Sequence, residues 1–163
     1  MAAGATYEPI STTTLGSNTN TVSFTSISSA YTDLIFVFEG TMSSGTDMMI
    51  RFNSDTGTNY SSTRIRGNGT TASSDRQTND TQFYPAIGSL ANRQNIIFQI
   101  MNYANTTTYK TAIDRINNPS GWVGAHVNLW RSTAAITQID IIGASSGNFA
   151  TGSTFTLYGI AAA

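Results

Sequence analysis

Apolar residues recur at every second position in short blocks, and clusters of Gly, Asn, Ser and Thr separate one block from the next. A spacing of two puts side chains on one face of a strand, whereas a helix needs 3.6. No block keeps a helical period for long. The pattern predicts strands over 7–15, 21–27, 33–42, 47–53, 60–66, 95–103, 109–116, 122–131, 136–142 and 153–160. Short strands broken by frequent turn signals, with no long helices between them, predict an all-β fold. The expected architecture is an antiparallel, jelly-roll-like β-sandwich of about eight to ten strands, formed as a single domain over 1–163. The stretch 67–81 (GNGTTASSDRQTNDT) has almost no apolar residue and reads as a long exposed loop.

In two blocks both faces are apolar. Leu34, Phe36 and Phe38 alternate with Ile35 and Val37, and Ile96, Phe98 and Ile100 with Ile97 and Met101. Such strands are covered on both sides, either centrally or at a subunit interface. In the block WVGAHVNLW, Val123, Ala125, Val127 and Leu129 share one face and read as core. Trp122, His126 and Trp130 share the other, either as an aromatic platform for stacking sugars or as packing in a sheet or interface. The expected core is Leu34, Phe36, Phe38, Ile96, Phe98, Ile100, Val127, Leu129, Phe155 and Leu157.

Composition narrows the function. Thr (26), Ser (19), Asn (14) and Gly (14) make up nearly half the chain, while charged residues are 10% and the net charge is −1. The 39% hydrophobic content is enough to fill a core, which argues against disorder. Eight dispersed cations do not make the basic surface that nucleic acid requires. With no Cys and one His, thiolate chemistry, disulfides and multi-histidine metal sites drop out, and no cofactor is expected. The N-terminal residues lack a secretion pattern, and the longest apolar run, 34–38, is far too short to span a bilayer. A soluble cytosolic product with no membrane partner is the expectation.

Several fragments of chemistry remain, each with a plainer explanation. The run Asn53-Ser-Asp55-Thr-Gly57-Thr-Asn59 alternates oxygen donors as a calcium loop does, but an EF-hand counted from Asn53 meets Arg64 at its twelfth position. A polar turn accounts for the same residues. Asp55-Thr56-Gly57 spells the aspartic protease tripeptide, yet Phe52-Asn53-Ser54 before it is not the apolar strand that a proton-sharing Asp pair needs. No Gly-x-Ser-x-Gly elbow presents a nucleophile to His126. Glu8 and Glu39 carry no glycosidase signature. Asn-x-Ser/Thr triplets at Asn59, Asn68, Asn79 and Asn105 are no more frequent than this composition produces by chance. Arg64 and Arg66 project from the same side of one strand, toward carboxylates across an interface or toward solvent.

Taken together, Tyr7-Glu-Pro-Ile-Ser, Ser29-Ala-Tyr31-Thr-Asp33-Leu, 51–61 (RFNSDTGTNYS) and 150–160 (ATGSTFTLYGI) resemble a family of small structural proteins of tailed bacteriophages. The resemblance implies a β-sandwich virion protein of the capsid-decoration or tail-associated kind, with no catalytic residues. It leads to the expectation of a non-enzymatic decoration, or cement, protein on the capsid surface, assembled in the host cytoplasm. Its partner would be the major capsid protein and its oligomer a homotrimer, with Tyr7, Glu8, Pro9 and Ile10 in an N-terminal contact arm over 1–10. The alternative expectation is a tail or head-fibre module that binds host glycan through Trp122, His126 and Trp130.

Overall fold

The computed structural model describes residues 6–45, 47–86, 91–119 and 121–161. Its strands are β1 (Tyr7–Thr14), β2 (Thr21–Phe24), β3 (Asp33–Gly40), β4 (Met42–Ser44), β5 (Met48–Phe52), β6 (Tyr60–Gly67), β7 (Ala72–Asp80), β8 (Gln94–Met101), β9 (Lys110–Asn118), β10 (Trp122–Trp130), β11 (Ile139–Gly143), β12 (Asn148–Phe149) and β13 (Thr154–Ile160). No α-helix occurs among the described residues; one 3-10 turn covers Ala144–Ser146. An eight-stranded sheet has the order β1-β13-β3-β8-β9-β10-β6-β7, a three-stranded sheet the order β2-β11-β5, and β12 pairs with β4. Every ladder is antiparallel. The fold is therefore all-β and antiparallel, a sandwich closed by aromatic residues between its two main sheets.

Each predicted block contains a strand, because strict alternation with one face buried leaves one workable register. In β5, Met48, Ile50 and Phe52 are fully buried while Met49 and Arg51 are half-exposed. The rings bridge the sheets: Phe24 of β2 lies 6.3 Å from Phe36 of β3, and Phe52 of β5 lies 6.4 Å from Phe98 of β8 and 5.5 Å from Trp130 of β10. Phe149 closes the other end, 5.7 Å from Phe38 and 5.0 Å from Phe155. Offset and edge-on rings at such separations add to the area that they bury.

Two expectations are corrected. The stretch expected as a loop over 67–81 is mostly strand: β7 pairs with β6 and forms one margin of the large sheet. As an edge strand it needs no apolar face, so the alternation that marks other strands is missing. In β10 the faces are reversed. Val123 and Val127 are 62% and 58% exposed and Leu129 is half-buried, whereas His126, Asn128 and Trp130 are buried. The other eight residues of the expected core, on β3, β8 and β13, are all fully buried.

Candidate functional site

The inner face of the large sheet changes character across its width. Under β13, β3 and β8 it is apolar, but from β9 onward one cross-strand row reads Asp114, His126, Arg64, Asp75. Asp114 and His126 are buried, with Asp114 Oδ1 3.1 Å from His126 Nδ1. Asn128 Nδ2 donates to Asp114 Oδ2 at 2.8 Å, and Ser62 Oγ donates to Asn128 Oδ1 at 2.7 Å. Arg64 grips Asp75 through both Nε, at 2.9 Å, and Nη2, while Arg66 Nη2 stands 3.6 Å from the same carboxylate. Both arginines thus face a carboxylate on the neighbouring strand of their own sheet. The Arg64 contact leads in holding the Asp75 carboxyl below its ordinary range. Burial pushes the Asp114 carboxyl up, against the hydrogen bonds and positive charge that favour its ionised form. Across the sandwich, burial raises Asp47 to about 6, although Met48 N–H, Arg64 and His126 favour its charge.

This row is built for holding strands together. Ser62 donates to Asn128 rather than to His126, and neither ring nitrogen of His126 makes a hydrogen bond among the described residues. A nucleophile and base in contact, the starting geometry for acyl transfer, do not occur here. Sequence reasoning missed Asp114 and Asp75. The local pattern carried no signal for Asp114, because Ile113 and Ile116 put an apolar residue on each face of β9.

The turn 53–59 is equally self-contained. Asp55 Oδ1 accepts from Gly57 N–H at 2.7 Å, and Oδ2 accepts from Asn59 Nδ2 at 2.9 Å and from the Trp130 indole N–H at 2.7 Å. Burial pushes the Asp55 carboxyl up, but the donors Asn59, Trp130 and Gly57 outweigh it and the net shift is down. Both carboxylate oxygens are thus turned onto the protein, where a calcium loop would turn them onto a cation. Among the described residues no second carboxylate bonds to Asp55, as a proton-sharing pair would require. Among the described residues no three His, Cys, Asp or Glu side chains cluster as a metal site would need.

Of the sugar-platform residues, Trp130 is 2% exposed and His126 1%, so neither ring offers a face to a ligand; Trp122 is half-buried against the core. Trp130 instead anchors β10 to the turn, stacked 6.4 Å from Tyr60. Of the N-terminal contact residues, 1–5 lie outside the described residues, and Tyr7, Glu8, Pro9 and Ile10 belong to β1, paired with β13. These four form a sheet margin rather than a free arm. Tyr7 is 58% exposed, whereas Ile10, at a register shift between Pro9 and Ser11, packs partly against the core.

The surface that stands out is the outer face of the large sheet. One row across it reads Pro9, Tyr158, Ile35, Gln99, Ile113, Val127, Thr63, Arg76. The next reads Thr156, Val37, Ile97, Arg115, Ala125, Ile65, Ser74. Ile65, Val123, Val127 and Ile113 are 65%, 62%, 58% and 42% exposed and Ala125 beside them is exposed, whereas toward β3 and β8 Val37 and Ile97 are mostly covered and Ile35 is buried. The outer face of a two-layer sandwich is ordinarily polar. That of the small sheet is more polar, with Thr21 and Ser23 exposed beside Arg51 and an Asp140 that accepts from Ser23, Ser54 and Gln138, and with Met49 and Ile142 half-buried among them. An apolar area continuous over several strands marks an interaction surface.

No family model and no curated protein matches the chain. Seventeen chains of solved structures match. One, the galectin LEC-6 of Caenorhabditis elegans, is 11% identical over 89% of this chain and 94% of its own, with a TM-score of 0.39. The sandwich described above is read from the strands and ladders of this chain.

Proposed function

We propose that this chain is a non-enzymatic structural component of a tailed-phage virion, a decoration protein that binds the major capsid shell. The observation that carries the reading is the outer face of the large sheet, where Ile65, Val123, Val127 and Ile113 stand exposed among few charges, on a molecule whose inner Ser62, Asn128, Asp114, Arg64 and Asp75 bond to neighbours within the sheet. Such a surface binds by area, without bond-making chemistry, and can meet another subunit without stranding buried ions. Weak contacts repeated over a symmetric shell add up to firm attachment. The margin β1, on which Tyr7 is exposed, is the element we assign to the shell, because a sheet edge offers unpaired backbone groups to a neighbouring chain. The resemblance of the sequence to phage structural proteins supplies the particle. The test uses capsids stripped of this protein. The purified chain is expected to rebind in hundreds of copies and raise their melting temperature; failure to rebind, with stripped capsids as stable as complete ones, would overturn the proposal.

A further inference from the structure

The outer face also carries information about what covers it first. Counting eight strands at about 4.8 Å and the six residue steps of β10 from Val123 to Leu129 at about 3.4 Å each, it measures about 38 by 20 Å. That footprint, about 750 Å², is close to the roughly 800 Å² per partner that a stable protein interface buries. Its charges are few and of both signs: Asp33 and Glu39 on β3, Arg115 on β9 and Arg76 on β7. A face so composed does not suit a strongly charged partner. It does suit itself.

We propose that a second copy of this chain packs on this face, sheet against sheet, about a two-fold axis running along β8. The inference rests on the reading of this face as an assembly surface and names its partner. An axis along β8 lays β9 of one copy over β3 of the other. The row containing Arg115 then meets the row containing Val37, and the Arg115 guanidinium comes within one row, about 7 Å along the strand, of Glu39 on the second copy. Glu39 is exposed and meets the exposed Arg93 at 2.9 Å, so it remains at the surface for a second cation. Ile113, Val127 and Ile97 fall near the centre, where burial is most complete. Because the two patches are the same patch, every contact occurs twice. A pair, in place of the expected trimer, is the association that this geometry supports.

Sedimentation equilibrium on the purified chain gives the decisive reading. The expected result is a particle of twice 17.4 kDa at micromolar concentration. Ile113→Asp and Val127→Asp substitute exposed side chains, so the fold, followed by circular dichroism, should be retained while dimer dissociation becomes about 100-fold easier, since unpaired charge is forced into an apolar contact. Thr21→Asp, on the outer face of the small sheet, should leave the dimer unchanged. Arg115→Glu and Glu39→Arg should each weaken it and together restore it. A wild-type monomer, a trimer, or an aspartate variant that still dimerises would overturn the inference; a monomer that binds neutral lipid vesicles would assign the face to a membrane instead. A monomer that still rebinds capsids sinks the dimer and leaves the proposed function standing. A dimer that never rebinds does the reverse.

Discussion

The Trp130–Asp55 hydrogen bond ties β10 to the turn 53–59, and its contribution can be isolated. Replacing Trp130 by Phe keeps a ring against Phe52 and Tyr60 but removes the indole N–H that reaches Asp55 Oδ2 at 2.7 Å. A hydrogen bond to a charged group contributes about 1.5–3 kcal/mol. The half-exposed turn places this one toward the lower end, and the smaller ring adds about 1 kcal/mol of lost packing. Trp130→Phe should therefore cost about 2–3 kcal/mol in urea denaturation with an unchanged m-value. Asp55→Asn is the second arm of the cycle, since an amide presents NH2 either to Trp130 and Asn59 or to Gly57 N–H, a donor against a donor in each case. The double variant should cost about 1–2 kcal/mol less than the two singles combined. The pH dependence supplies an independent check. Because the folded Asp55 pKa lies below its unfolded value, this stabilisation is complete above about pH 4 and disappears as pH falls through the folded pKa. The cost of Trp130→Phe should shrink over the same interval. Additive single effects, or a cost that ignores pH, would refute the reasoning.

Two further outcomes are expected. Asp47, held at about 6 by burial, binds protons more readily folded than unfolded, so its charge lowers stability as pH rises from about 4 through about 6. Asp47→Asn should add about 1–3 kcal/mol at pH 7 and nothing at pH 4, measured by thermal denaturation; equal effects at both pH values would contradict this. Gly159→Ala should destabilise by about 1–3 kcal/mol, because a Cβ there would lie 2.3 Å from Cγ of the Tyr31 ring that packs on it. An unchanged melting temperature would show that the ring moves freely.

Most of the strands were legible because their hydrophobic side chains repeat every second residue against a buried face. In β3 and β8 the second apolar set, Ile35, Val37 and Ile97, lies on the face away from the core, where Ile35 is buried and Val37 and Ile97 are half-buried. The edge strand β7 was hidden because its side chains answer to Arg64 and Arg66 rather than to a core. The polar row Asp114–His126–Arg64–Asp75 was hidden because its four residues come from four strands, and nothing local to any of them announces the register that joins them.

By itself the sequence determined the class of fold, the position of the strands other than β4, β7 and β12, and which residues share a face, since all three follow from local alternation and turn chemistry. Only the tertiary structure decided which face of β10 points inward. A period of two has no sign, so Val127 and Trp130 exchange places according to what lies across the sheet. There, Phe52, Tyr60 and the Asp55 carboxylate offered the indole both an apolar enclosure and an acceptor, and the valines were left outside with the rest of the apolar face.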